Sequence, residues 1–280
     1  MHPVLFTVGN YPISSYGVLF LAGILVAVWL ARRNARFLGL SPEKATDLTF
    51  VGLIGGLAGA KLLYVLILLA QPRPVPISLW DAFRSGGVFF GGLIGLLGGT
   101  AIFVRIQKLS WWDYLDCIMP GTIIAHGIGR IGCFLSGCCY GAPTGSPLSV
   151  TFTDPFCART FGTPLGQPLH PVQLYEAGAE LLLGGAMLIL VRRRTFVGQI
   201  VPAWLIFYGP VRFTLEFLRS DFRGQWLGGV LSTSQILAVV AFVGAAVVWV
   251  LRRGIRPPPV GSAAPVPSRK TAAQSSPRRR

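Results

Sequence analysis

Seven stretches of this chain are apolar over close to a membrane-crossing length, which is about 20 residues for an α-helix. They run from Tyr16 to Ala31, Leu48 to Ala70, Gly87 to Val104, Tyr114 to Leu135, Gln173 to Val191, Gly198 to Phe217, and Ser234 to Leu251. Only 12% of the residues are charged, against about 25% in ordinary soluble domains, and the mean hydropathy is +0.60. An ordinary soluble domain is therefore excluded. The expected fold is an all-α membrane protein, a seven-transmembrane helix bundle, because a helix satisfies its own backbone in lipid. No basic segment precedes Tyr16, so the first run is expected to stay as a helix rather than be cleaved as a signal peptide.

The formal net charge is +15, and its distribution sets the orientation. Seventeen basic residues fall after the first, third, fifth and seventh runs, and five after the others, without a violation of the alternation. The positive-inside rule then puts the N-terminus outside and the C-terminus in the cytoplasm. Residues 1–256 are read as one seven-span domain. Residues 141–171, rich in Pro, Gly and Thr, are expected to form an irregular or short-stranded outer cap between spans four and five. Residues 257–280 open with Pro257-Pro258-Pro259 and continue in Ala, Ser, Pro and basic residues. That composition predicts a disordered basic cytoplasmic tail. Glycines at four-residue spacing, as in Gly55 with Gly59 and Gly91 with Gly95 and Gly99, predict close helix packing rather than chemistry.

Three cations, Lys61, Arg130 and Arg212, lie inside the spans. Counted from the inner ends at about 1.5 Å per residue, they stand roughly 20, 24 and 21 Å along their helices. Such charges persist in lipid only when they face a partner, a cavity or a ligand. His126, Arg130, Cys133 and Gly137 share one helical face, and Tyr208, Arg212, Glu216 and Arg219 share another. Pro210 frees the carbonyl of Ile206 and asks for a polar neighbour. Arg212 has Glu216 one turn away as an ion-pair partner, while Arg130 has no acid at helical spacing and is read as an anion ligand. Guanidiniums suit phosphate because their planar fork donates paired hydrogen bonds. Physical reasoning alone arrives at a membrane-embedded site for an anion or a phospholipid head group. For Cys133, Cys138, Cys139 and Cys157, free or disulfide-bonded thiols are favoured over a metal site, since Cys138 and Cys139 are adjacent and His170 is distant in sequence.

Taken together, these motifs resemble the prolipoprotein diacylglyceryl transferase family of bacterial membrane enzymes. Gly129-Arg130-Ile131-Gly132-Cys133-Phe134-Leu135-Ser136-Gly137 matches that family's G-R-x-G-(N/C)-F-x-x-G signature. Tyr16-Gly17, Gly59-Ala60-Lys61-Leu62-Leu63-Tyr64-Val65, Gly91-Gly92-Leu93-Ile94-Gly95, His170-Pro171-Val172-Gln173-Leu174-Tyr175-Glu176 and Tyr208-Gly209-Pro210-Val211-Arg212 match in order. The resemblance covers Tyr16 to about Leu251.

The resemblance implies transfer of a diacylglyceryl group from phosphatidylglycerol to the lipobox cysteine of a prolipoprotein signal peptide, in the inner membrane. Glycerol phosphate leaves and a thioether remains, which is the first step of lipoprotein maturation. Arg130 and Arg212 would carry the phosphate, with Tyr16, Tyr208 and His126 as further catalytic candidates. Lys61, Cys133, Gly137 and Glu216 join the arginines as candidate phosphatidylglycerol contacts. Membrane lipids are the only other partners implied; no metal, no organic cofactor and no nucleic acid are. Some members have a histidine base just before the Gly91-Gly92 pair, where this chain has Phe90. That leaves His126, His170, Glu176 and Glu216 as candidate bases. Cys133 stands where other members have asparagine. Two alternatives remain at this point: a transporter or binding protein for a small anion, and a thiol-redox enzyme resting on Cys133, Cys138, Cys139 and Cys157.

Overall fold

The computed structural model describes residues 2–9, 11–70, 87–220, 225–226 and 231–257. Arg73, Arg84 and Arg223, and all of the expected tail after Pro257, lie outside the described residues. The chain opens with an antiparallel hairpin of β1 (Val4–Val8) and β2 (Tyr11–Ser14). Then come helices α1 (Ser15–Leu38), α2 (Pro42–Leu69), α3 (Phe89–Ile106) and α4 (Trp111–Ser136). The cap follows, with β3 (Val150–Thr151), the short helix α5 (Pro155–Phe161) and β4 (Pro168–Leu169). Helices α6 (Val172–Arg192) and α7 (Ile200–Glu216) are followed by the ribbon of β5 (Gln225–Trp226) and β6 (Leu231–Ser232), and then by α8 (Thr233–Arg252).

Six of these helices are long and apolar enough to cross a membrane; α7, at 17 residues, is shorter than the rest of the set. The described residues are mostly helical, in keeping with the all-α expectation. Three two-stranded antiparallel ribbons accompany the helices, and the N-terminal one precedes the first apolar run, where no strand was expected. The cap is short-stranded, as its composition predicts.

Local chemistry accounts for the helix ends. Ser14 Oγ accepts from the Gly17 amide at 3.1 Å, and Ser41 Oγ from the Lys44 amide at 3.2 Å. Ser232 and Gln235 form a reciprocal capping box at the start of α8. Each satisfies amides that the first helical turn leaves free. α1 continues beyond its apolar run through Arg32, Arg33 and Arg36 and stops at Gly39, which adopts φ +70°.

The long helices form a row in which α4 is central: α3, α2, α1, α4, α6, α7, α8, each against the next, with α7 also touching α4. Large apolar side chains point away from the row, among them Ile54 (63% exposed), Leu182 (78%) and Phe207 (60%). The fully buried side chains include Asp116, Gln173, Glu176 and Glu180. This distribution, with apolar side chains outside and charged groups within, suits a lipid solvent. Asn34 Nδ2 donates to the Cys117 carbonyl at 3.0 Å, and the Cys117 thiol donates to the Ala31 carbonyl at 3.2 Å, which ties α1 to α4.

The glycines on α2 and α3 do what their spacing predicts. A Cβ at Gly59 would collide with the carbonyl oxygen of Gly91, and one at Gly95 with that of Gly55. Gly59→Ala is therefore expected to force α2 and α3 apart and to cost about 1–3 kcal/mol of stability, as other overpacked sites do. Gly98→Ala, where a Cβ meets nothing within 4 Å, is the comparison and should change little. Thermal denaturation of the two variants in detergent checks this.

A polar clamp closes the end of the row remote from the cap. Asp116 Oδ2 accepts from Arg194 Nη1 at 2.9 Å and from the Gly198 amide at 2.8 Å, and Oδ1 accepts from the Ile200 amide at 2.9 Å. Arg194 also reaches Asp113 at 2.7 Å. The buried carboxylate thus caps the first turn of α7 and opposes its dipole.

Candidate functional site

Three helices bring i, i+4 pairs of polar side chains to one seam: His126 and Arg130 from α4, Glu176 and Glu180 from α6, and Trp204 and Tyr208 from α7. Because α6 runs antiparallel to the other two, the pairs meet as two rungs. In the rung nearer the clamp, His126 Nδ1 lies 2.8 Å from Glu180 Oε1, and Trp204 Nε1 donates to Glu180 Oε2 at 3.0 Å. In the rung nearer the cap, Arg130 Nη2 donates to Glu176 Oε1 at 3.1 Å, and the Tyr208 hydroxyl donates to the same oxygen at 2.6 Å. Trp204 and Tyr208 stack with ring centroids 5.2 Å apart, and the edge of the His126 ring meets Tyr208 at 6.4 Å.

Arg130 lies in the rung nearer the cap. It has no acid on its own helix, but it is paired, through Glu176 of α6. Spacing within one helix cannot reveal a partner on another. The pair does not exhaust the guanidinium, because Arg130 Nε is buried and has no hydrogen-bond partner among the described residues. One turn beyond Tyr208, Arg212 Nη1 stands 2.7 Å from Glu216 Oε2, the ion pair that the spacing predicts. Glu216 Oε1 accepts from Ser232 Oγ at 2.7 Å. Glu216 is thus the counter-charge of Arg212.

The other expected residues divide. Tyr16 is at the start of α1, 41% exposed, with its ring against the backbone of Gly132 on α4. Its hydroxyl is in electrostatic reach of Arg130 and of the thiols of Cys133, Cys138 and Cys139. Lys61 lies on α2, flanked by α1 and α3, outside the seam of α4, α6 and α7. Gly137 ends α4 at φ +77°, its carbonyl accepting from Thr163 Oγ1 at 2.6 Å. A Cβ there would press within 2.5 Å of Cys157 Sγ, so glycine is required by the turn and the cap above it. Phe90 is 43% exposed and sits edge-on to Phe89.

The cap binds the three helices of the seam together. Gly141 N donates to the His170 carbonyl at 3.1 Å, His170 N to the Ala142 carbonyl at 3.0 Å, and Ala142 N to the Leu218 carbonyl at 2.7 Å. Gln173 Nε2 donates to the Cys138 carbonyl at 2.7 Å. Gln173 Oε1 and His170 Nδ1 join Arg130 Nε as buried atoms without a hydrogen-bond partner among the described residues.

All five cysteines are free. Cys157 is buried beneath the cap and forms no disulfide. Against expectation, Cys133, Cys138 and Cys139 bring their thiols within 4.8 Å of one another. The turn makes this geometry. Gly137 and Cys139 both take positive φ, +77° and +60°, and the Cys138 amide donates back to the Cys133 carbonyl at 3.1 Å. The Cys139 thiol, beyond the end of α4, is held below the usual thiol range by hydrogen bonds from Cys133 and Cys138, with the Arg130 and Arg219 guanidiniums adding to the effect.

Glu180 and Trp204 were not among the expected site residues. A readable signal existed for the first of them. Glu176 and Glu180 are two acids one turn apart inside an apolar run, the same anomaly that marks Arg130.

A family model described as prolipoprotein diacylglyceryl transferase matches residues 3–251. Among curated relatives, the phosphatidylglycerol–prolipoprotein diacylglyceryl transferase of Clostridium tetani is 36% identical over 246 residues, 87% of this chain and 94% of the relative. The Vibrio vulnificus (strain YJ016) protein of the same name is 32% identical over 263 residues, 90% of this chain and 92% of its own length. That of Escherichia coli O1:K1 is 31% identical over 277 residues, 90% of this chain and 94% of the relative. Matched along nearly its whole described length, with its buried arginines and acids gathered on one seam, the chain belongs to the prolipoprotein diacylglyceryl transferase family.

Proposed function

We propose that this transferase moves the diacylglyceryl group of phosphatidylglycerol onto the lipobox cysteine thiol of a prolipoprotein. The product is a thioether, glycerol phosphate is the leaving group, and the reaction is the first step of lipoprotein maturation. The observation that carries this reading is Arg130, buried and held in place by Glu176, with an Nε that has no hydrogen-bond partner among the described residues. A guanidinium fixed in this way is preorganised for charge that develops on a leaving phosphate oxygen. Tyr208 fixes the other side of the same carboxylate. Arg212, one turn nearer the cap, offers a second fork to the phosphate, and Tyr16 stands part-exposed at the start of α1, in electrostatic reach of the thiols. Lys61 is kept only as a cation on α2 outside the seam, and Gly137 as the turn that places Cys138 and Cys139.

The enzyme sits in the bacterial inner membrane with seven spans, α7 being the short one. The N-terminus and cap face outward, and the clamp of Asp113, Asp116 and Arg194 faces the cytoplasm. Two features support this orientation: the excess of basic residues at the clamp end and the placement of the site beneath the cap, where a secreted substrate arrives. The basic tail of residues 257–280 then lies at the anionic inner leaflet.

The direct test incubates purified protein with phosphatidylglycerol and a lipobox peptide, followed by mass spectrometry. A mass gain of one diacylglyceryl group on the cysteine is expected. An unmodified peptide, with anion uptake in liposomes instead, would favour the transport alternative. Arg212→Lys keeps the charge beside Glu216 but loses the fork. The loss of one charge-assisted hydrogen bond, about 1.5–3 kcal/mol, predicts a fall in transfer of about ten- to hundredfold.

A further inference from the structure

The turn that ends α4 builds a second site. Its three thiols lie within 4.8 Å of one another, and a tetrahedral zinc site needs sulfurs about 3.8 Å apart. Among the described residues no fourth His, Cys, Asp or Glu joins the cluster. Three protein ligands with one open position is the pattern of a catalytic metal site rather than a closed structural one. Tyr16, at the start of α1, and Arg130, on the rung nearer the cap, are both in electrostatic reach of these thiols.

We propose that Cys133, Cys138 and Cys139 bind a thiophilic metal ion, Zn²⁺ foremost, whose open position takes the thiol of the incoming peptide. The second half of this proposal rests on the transferase reading above. It would give the chain a way to activate its nucleophile that needs no histidine at Phe90. The peptide thiol binds as a thiolate, and its proton passes to water. The sulfur lone pair then forms the bond to the glyceryl carbon while the bond from that carbon to the phosphate oxygen breaks, and the oxygen keeps the electron pair. The thioether product is uncharged and a weaker ligand, so it leaves the metal.

The site is tested with full-length, reduced protein in detergent and Co²⁺ alone. One equivalent is expected to bind with a thiolate-to-cobalt absorption band, and Zn²⁺ should displace it. Cys138→Ser or Cys139→Ser should weaken binding by more than about a hundredfold, beyond the loss seen when a metal's outer-shell partner is removed. Cys117→Ser, near the clamp, should leave the band unchanged. A measurement that needs no variant is alkylation followed by mass spectrometry, in which Zn²⁺ should shield Cys133, Cys138 and Cys139 together. The absence of a cobalt band while all five thiols titrate as free, or alkylation unaffected by Zn²⁺, would overturn the site. Chelator-stripped protein should lose at least about nine-tenths of its transfer rate and recover it with Zn²⁺; an undiminished rate would overturn the thiol-activating half. An intact cobalt band without transfer, metal present or absent, supports the metal site and counts against the transferase reading.

Discussion

Arg130→Lys should lower diacylglyceryl transfer by about two to three orders of magnitude, while the thermal midpoint shifts little. Lysine keeps a positive charge within reach of Glu176, so the buried carboxylate retains a counter-ion. The fork is lost, and with it the Nε donor that has no hydrogen-bond partner among the described residues. Removing one preorganised donor from a developing oxyanion typically costs a factor of about 100–1,000 in rate. Alanine is the less informative change, because it strands Glu176, which is 1% exposed. Breaking a buried pair from one side costs about 3–5 kcal/mol, so lost activity would be confounded with lost fold. Product formation per folded molecule, measured beside a melting curve, separates the two. A rate for Arg130→Lys within about threefold of the parent would show that the fork does not touch the transition state.

Asp116→Ala is expected to give the largest loss of stability, about 3–5 kcal/mol, as when a buried charge loses its partner. The carboxylate is fully buried and accepts three hydrogen bonds, from Arg194, the Gly198 amide and the Ile200 amide. Alanine leaves the two amides with no side-chain acceptor and Arg194 with Asp113 alone. Asp116→Asn retains one carbonyl oxygen and should lose about half as much. Asp116 is 14 residues before Arg130 on α4, or about 21 Å along the axis. Transfer by the molecules that remain folded should therefore be nearly unchanged. A variant that melts normally would mean that the clamp is not what fastens the start of α7.

The pattern of apolar runs was enough to place every long helix, because lipid demands both the length and the composition. The pair of Arg212 and Glu216 was legible for a similar reason, since both residues ride on one helix. What was not legible depends on contacts between helices. Glu176 reaches Arg130 across 46 residues of chain, and Glu180 reaches His126 across 54. Nothing in local spacing encodes which helix lies beside which. The thiol cluster was missed because adjacent cysteines in an extended chain point apart. Only the two left-handed residues, Gly137 and Cys139, fold them back onto Cys133. The clamp was missed for another reason: Arg194 was counted as one of several topology-setting charges, and its burial against Asp116 could not be seen.

The two-rung ladder also bears on how the protein is made. Ribosomes deliver α4 before α6 exists, so Arg130 enters the bilayer without Glu176. On an insertion scale, an arginine at the helix centre costs about 2.5–3.5 kcal/mol; Arg130, nearer the outer end of α4, costs less, and the apolar remainder of α4 and its contact with α1 must outweigh that cost until α6 emerges. A nascent chain stalled between the cap and α6 should accordingly hold α4 beside the insertion machinery, detectable by site-specific crosslinking, and release it once Glu176 and Glu180 have been synthesised.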